Sequence, residues 1–228
     1  MATGLDVLAG EIARCTRCPR LVAYREQVAR QKRRMYRDQE YWGRPVPGFG
    51  DSAARILILG LAPGAHGSNR TGRMFTGDRS GDFLYGTLHS VGLASQPESA
   101  RRGDGLVLRD VFISAACRCA PPANKPTPEE IRNCRPWLER ELALLARVRV
   151  VVALGRIAFD DYLGLLGQRP AAFPFAHNRA HELGPDLPKL ISSYHPSQQN
   201  TQTGKLTLAM FREVFVEAVR LANGVSGR

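Results

Sequence analysis

The chain has 228 residues, enough for one sizeable domain and short for two, and its 43% hydrophobic content is enough for a packed core. No run approaches the roughly 18 apolar residues of a membrane span. The start MATGLDVLAGEIARC has neither the basic opening nor the small-residue cleavage site of a signal peptide, so a cytoplasmic protein is expected. The net charge is +11, and 28 of the 32 basic residues are arginine, a ratio that GC-rich coding explains. Their placement is more telling: residues 14–37 hold nine basic groups against one acid, Glu26. Such a block suits a phosphate backbone, and a solvated helix face is the equal alternative.

In chain order, Leu5, Leu8 and Ile12 predict a short helix ending near Cys15. Pro19 opens a second, basic helix to about residue 33. Residues 41–50, YWGRPVPGFG, read as an aromatic and proline-rich loop. Arg55–Leu59 is a strand, and residues 80–92, with Phe83, Leu84, Leu88 and Val91, a helix. Val111–Ala116 is a second strand. Thr127-Pro128-Glu129-Glu130 carries a helix start, with threonine as cap, proline in the first turn and glutamate three residues on. That helix should run to about Arg147. Val148–Leu154, Arg156–Leu166, Leu190–Tyr194 and Leu206–Asn223 follow as strand, helix, strand and helix; the terminal GVSGR is expected to fray. Four buried strands, each followed by a helix, predict a three-layer α/β/α fold around a four-stranded parallel sheet. One domain over residues 1–228 is expected, with a helical N-terminal segment to about residue 40.

Five cysteines, an odd count, argue against disulfides in a reducing compartment. Cys15 and Cys18 form a CxxC pair, which Cys119 and Cys134 could complete into a four-thiolate site. Zinc and an iron–sulfur cluster both accept four thiolates, and spacing does not choose between them; buried, inert cysteines are the plain alternative.

Ligands of such sheets sit outside the carboxyl ends of the strands. The loops there hold the unusual residues: GLAPGAHGSNRTGRMFTGD (60–78), CRCAPPANKP (117–126) and HPSQQNTQTG (195–204). The first is glycine-rich yet lacks the Lys-Ser/Thr of a P-loop and the GxGxxG of a dinucleotide site. If the loops converge, Phe75, Asp78, Asn124 and His195 bring a ring, a carboxylate, an amide and an imidazole to one pocket suited to a flat, neutral heterocycle. Singly, each has a plainer reading: core packing for Phe75, a helix cap for Asp78, a turn for Asn124, a structural role for His195.

These loops, with CTRCPRL at 15–21, resemble the bacterial and archaeal iron–sulfur uracil-DNA glycosylases, and most the family 5 (type B) branch, over about residues 12–222. The resemblance implies a [4Fe–4S] cluster on Cys15, Cys18, Cys119 and Cys134, with Cys117 a strand residue and not a ligand. It implies a monomeric enzyme acting on double-stranded DNA containing deaminated bases: uracil, and also hypoxanthine and xanthine. Phe75 would stack on the flipped base and Asn124 would read its edge, with Gly60, Ala62 and Gly64 as the close backbone wall. His195 would stabilise the anionic leaving base, and Asp78 would position water or stabilise the sugar cation. Other branches place a carboxylate or amide in the first motif; residues 61–65 here have no side chain able to act as a base. Ser197 is assigned to phosphate, Gln199, Asn200 or Gln202 to the gap left by the base, and His177 and His181 to DNA backbone or plain surface. A non-catalytic, cluster-bearing DNA-binding protein and a nucleotide phosphoesterase are the rivals. The first has no need of the convergent side chains, and the second lacks its lysine or acidic cluster.

Overall fold

The computed structural model describes residues 3–224, so residues 225–228 of the terminal GVSGR lie outside the described residues. The predicted strands form: β2 (Ile56–Gly60), β3 (Val111–Ala115), β4 (Val150–Leu154) and β6 (Lys189–Ser193). They lie parallel in the order β3-β2-β4-β6, with Ile56 in register with both Val111 and Val150. The expectation of a four-stranded sheet needs correction, because the sheet has six strands and is mixed. β1 (Phe49–Gly50) adds antiparallel to β3, and β5 (Arg179–His181) antiparallel to β6. Two or three residues are too short for an alternation pattern to register. β1 also lies inside the stretch read as a proline-rich loop.

β2, β3 and β4 are buried along their whole length, as apolar runs covered on both faces must be. Their side chains alternate between two cores. Ile56, Ile58, Val150 and Val152 pack with Leu84 and Leu88 of α4 (Arg79–Ser90) and Phe211 and Phe215 of α8 (Leu208–Ala222). Leu57, Leu59, Val151 and Ala153 pack with Leu138 of α5 (Pro128–Leu144) and Phe159 and Tyr162 of α6 (Arg156–Leu165). The amino-terminal helix α1 (Gly4–Ala13) docks on α5 through Leu8, Ile12 and Trp137, and α2 (Pro19–Gln31) follows it.

Helix starts follow their sequence signals. Thr127 accepts from Glu130 N, and the Glu130 carboxylate receives Thr127 N at 2.7 Å, a complete capping box with Pro128 in the first turn. Two short helices were not foreseen: α3 (Ser68–Thr71) in the glycine-rich loop and α7 (Gln198–Gln202) in the stretch expected to be loop. Among the described residues, no helix is long and apolar enough to cross a membrane.

Candidate active site and cysteine recess

The loops after β2, β3 and β6 meet, and between them lies a cavity of about 860 Å³ that Phe75, Asp78, Asn124 and His195 all line, with Ala62 and Gly64 in its wall. Gly60 stands behind this wall. A Cβ there would lie 2.9 Å from the Phe75 ring, so the bare strand end leaves room for the ring against it. Phe75 holds φ at +51°, and Ala123 and Asn124 hold φ at +53° and +56°. Left-handed backbone at non-glycine residues is costly and gathers at ligand sites. Among the described residues, the Asn124 carboxamide makes no hydrogen bond and is exposed, which leaves both its ends available to a ligand.

Asp78 does two things. Its Oδ1 accepts from Gly81 N at 3.0 Å and caps α4. Its Oδ2 faces the glycine-rich loop: a Cβ on Gly64 would lie 2.9 Å from it, and one on Gly67 only 1.9 Å. The loop is glycine-rich here because the carboxylate occupies the space of a side chain. Burial raises the Asp78 pKa and the Gly81 N–H opposes the rise. Gly67 carried no signal in the sequence, since its requirement comes from a residue eleven positions away.

His195 follows β6, with Gly155 at its back, where a Cβ would stand 3.4 Å from the His195 Cβ. Burial drives its pKa down to about 4, so the imidazole is neutral at pH 7. Neither ring nitrogen has a partner among the described residues, and the ring sits 6.0 Å from that of Phe75. The Asn200 amide is engaged by the His195 carbonyl at 2.8 Å, which ties α7 to the catalytic loop. Ser197 caps α7 by accepting from Asn200 N and also lines the cavity, as does the exposed Gln199; Gln202 is exposed on α7 away from the cavity wall.

Among the cavity-lining residues that the sequence alone did not assign to the pocket are Tyr36 and His66, and Arg33, which counted only in the basic block. Nothing local marks them, because they arrive from the N-terminal segment and from the middle of the loop. His177 and His181 are not backbone contacts on the surface. His181 is buried between Phe159 and Phe173, and His177 stacks on Tyr194 with Nδ1 accepting the Tyr194 N–H at 3.2 Å.

Cys15, Cys18, Cys119 and Cys134 line a second, narrow recess. Arg25, buried, donates from Nη1 to Cys119 Sγ at 2.9 Å and to Cys15 O at 3.3 Å. Asn133 Nδ2 lies 3.6 Å from Cys18 Sγ. Burial pushes the Cys119 thiol up to about 12 despite Arg25, so a thiolate there calls for further positive charge. Cys117 is buried just past the end of β3 and is absent from the lining. Among the described residues no three His, Cys, Asp or Glu side chains are gathered closely enough to hold a single metal ion.

Part of the basic block of residues 14–37 is engaged within the protein. Arg20 is bound to Glu130 through two hydrogen bonds of 2.8 and 2.7 Å, and Arg17 lies over Trp137. Arg17 and Arg20 thus hold the N-terminal segment onto α5, and Arg25 holds it to the β3 loop at Cys119.

Comparison with known proteins agrees with this geometry. The profile of the Uracil DNA glycosylase superfamily matches residues 47–219. The chain is 61% identical over 208 residues to the type-5 uracil-DNA glycosylase of Thermus thermophilus, covering 91% of this chain and 94% of that one. It is 46% identical over 213 residues to the type-5 enzyme of Pyrobaculum aerophilum (93% and 91% covered). Identity to a type-4 uracil-DNA glycosylase of Archaeoglobus fulgidus is 32% over 156 residues (67% and 70% covered). A superfamily profile over most of the chain and type-5 relatives along nearly all of it place this protein in the uracil-DNA glycosylase superfamily, within its type-5 branch.

Proposed function

We propose that this protein hydrolyses the N-glycosidic bond of uracil in double-stranded DNA and leaves an abasic site. The observation that carries the reading is one cavity holding a flat ring, an unpartnered carboxamide, a neutral imidazole and a buried carboxylate. A base inside a duplex is out of reach, so the nucleotide is rotated into the cavity. Phe75 stacks on its face and Asn124 pairs with its polar edge. The C1′–N bond breaks with its electron pair leaving on the base, and water adds to C1′ with loss of a proton. Negative charge grows on a base oxygen, and His195, kept neutral by burial, can meet it with an N–H. Positive charge grows on the sugar, and Asp78 supplies the opposing carboxylate. Asp78 is favoured as an anion by its place at the amino end of α4. With no base at 61–65, the bond breaks largely ahead of water attack. Alanine and glycine in the wall exclude few bases by contact, which supports removal of hypoxanthine and xanthine as well.

The donor set of the cysteine recess, four thiols from Cys15, Cys18, Cys119 and Cys134, fits a [4Fe–4S] cluster, the group that the resemblance to the type-5 enzymes implies. The cluster's contribution is structural. It joins the turn before α2 to the β3 loop that carries Asn124.

Asp78 provides the sharpest test, because its cap and its proposed chemistry can be separated. Asparagine caps a helix about as well as aspartate. Asp78→Asn is expected to melt within a few degrees of wild type and to lose about a hundredfold or more in uracil release from duplex. Asp78→Ala is expected to lose about 1 kcal/mol of stability as well. Full activity in Asp78→Asn sinks its catalytic assignment, and no base release by the wild type sinks the glycosylase reading.

A further inference from the structure

His66 and Arg33 line the same cavity as Phe75 and Asp78, yet neither has a part in holding the base. Between them stands Tyr41, which is buried. Its hydroxyl receives the Arg33 backbone N–H at 3.3 Å and lies 3.0 Å from His66 Nδ1. The Arg33 N–H takes one lone pair of the hydroxyl, and Nδ1 is the acceptor within reach of the hydroxyl's own proton, so the arrangement that satisfies every group has Tyr41 donating to Nδ1. The ring proton of His66 then sits on Nε2. Burial first, and then Arg33 and Arg70, hold the His66 pKa below its ordinary value, which favours the neutral ring.

The loop beneath is anchored. The His66 carbonyl accepts Arg70 Nε at 2.8 Å, and Arg70 reaches Gly77 O at 2.8 Å, immediately before Asp78. A ring nitrogen that carries the proton cannot act as a base toward water. It can take only an acceptor. Beside it, the exposed Arg33 forms no ion pair with any carboxylate among the described residues. An N–H donor next to a guanidinium selects an oxyanion. A nucleotide rotated out of a duplex brings one to the cavity mouth, its own flanking phosphodiester.

We infer that His66 Nε2–H and the Arg33 guanidinium bind the phosphodiester flanking the extruded nucleotide, with Tyr41 as the positioning residue that fixes the imidazole. The inference rests on the glycosylase reading of the cavity. Its test compares duplexes with one uracil whose flanking linkages are either phosphodiesters or uncharged methylphosphonates, under single-turnover conditions. On the phosphodiester duplex, His66→Ala is expected to raise the enzyme concentration at half-maximal rate about tenfold, the loss of one hydrogen bond to a charged group. The rate at saturation should stay within about twofold, and the penalty should vanish on the methylphosphonate duplex. Tyr41→Phe should show a smaller penalty with the same dependence on the linkage. Arg33→Ala should reduce the slope of log affinity against log salt by about one. These two variants keep the test decisive if His66→Ala folds poorly. Equal penalties on both duplexes, no penalty on either, or a fall confined to the saturating rate overturn the phosphate assignment. A wild-type protein that releases no uracil overturns the glycosylase reading instead.

Discussion

His195 shows how far one side chain's chemistry is set by its surroundings. Its pKa is driven by burial from an ordinary 6.5 to about 4. Between those values the unfolded chain binds a proton that the folded chain refuses. Stability therefore falls as pH drops from about 6.5 to about 4, by at most about 3 kcal/mol from this group. Denaturant unfolding across that window should show a shallower pH dependence in His195→Gln than in wild type, and parallel curves would refute the burial of a neutral imidazole. From the sequence, His195 was legible as a candidate because it follows a strand and opens a polar loop. Its neutrality was not, because the groups that bury it come from other segments, Phe75 and Gly155 among them. The same holds for Asp78, whose cap could be read from its place before α4, while its contact with Gly67 could not.

At the level of elements, α5 is where local and long-range signals coincide. Glu130 completes the capping box with Thr127 and also receives both hydrogen bonds from Arg20 of α2. Its side chain is 8% exposed, against 44% for Arg20. Removing the buried partner strands more than removing the exposed one. Glu130→Ala is therefore expected to cost about 1–2 kcal/mol, and Arg20→Ala less than about 1 kcal/mol, by thermal or denaturant melts. A larger loss in Arg20→Ala would show that the ion pair outweighs the cap. The box was plain in Thr127-Pro128-Glu129-Glu130, since its parts lie within one turn. The arginines of α2 misled for the complementary reason. A basic helix looks alike whether its charges meet phosphate or, as for Arg20, a carboxylate 110 positions on.

On the scale of the whole molecule, the amino-terminal helices are held to the α/β body not only by Arg17 and Arg20 but by two further attachments. One is apolar, Leu8 and Ile12 of α1 against Trp137, with Glu11 bridged to Arg140 at 2.6 Å. The other is the cysteine recess with Arg25, where the cluster is proposed. Oxidative removal of iron is expected to raise hydrogen exchange in residues 14–31 while β2, β3 and β4, buried on both faces, stay protected. Uniform loss of protection would mean that the recess supports the entire fold and not one attachment. Brown absorbance before treatment and its loss afterwards provide the internal control.

The order of the four parallel strands and of the long helices, the capping-box start of α5 and the meeting of the three motif loops were legible in the sequence alone. Each is read from residues close together along the chain: alternation in a strand, a cap and its third neighbour, a run of loop residues. The mixed edges of the sheet, the second wall of the cavity and the fate of each arginine were decided by the tertiary structure. They depend on which distant segments meet, as Tyr41 meets His66 and Arg25 meets Cys119. Which chemistry a side chain can perform follows from its burial and partners, and those exist only once the chain has folded.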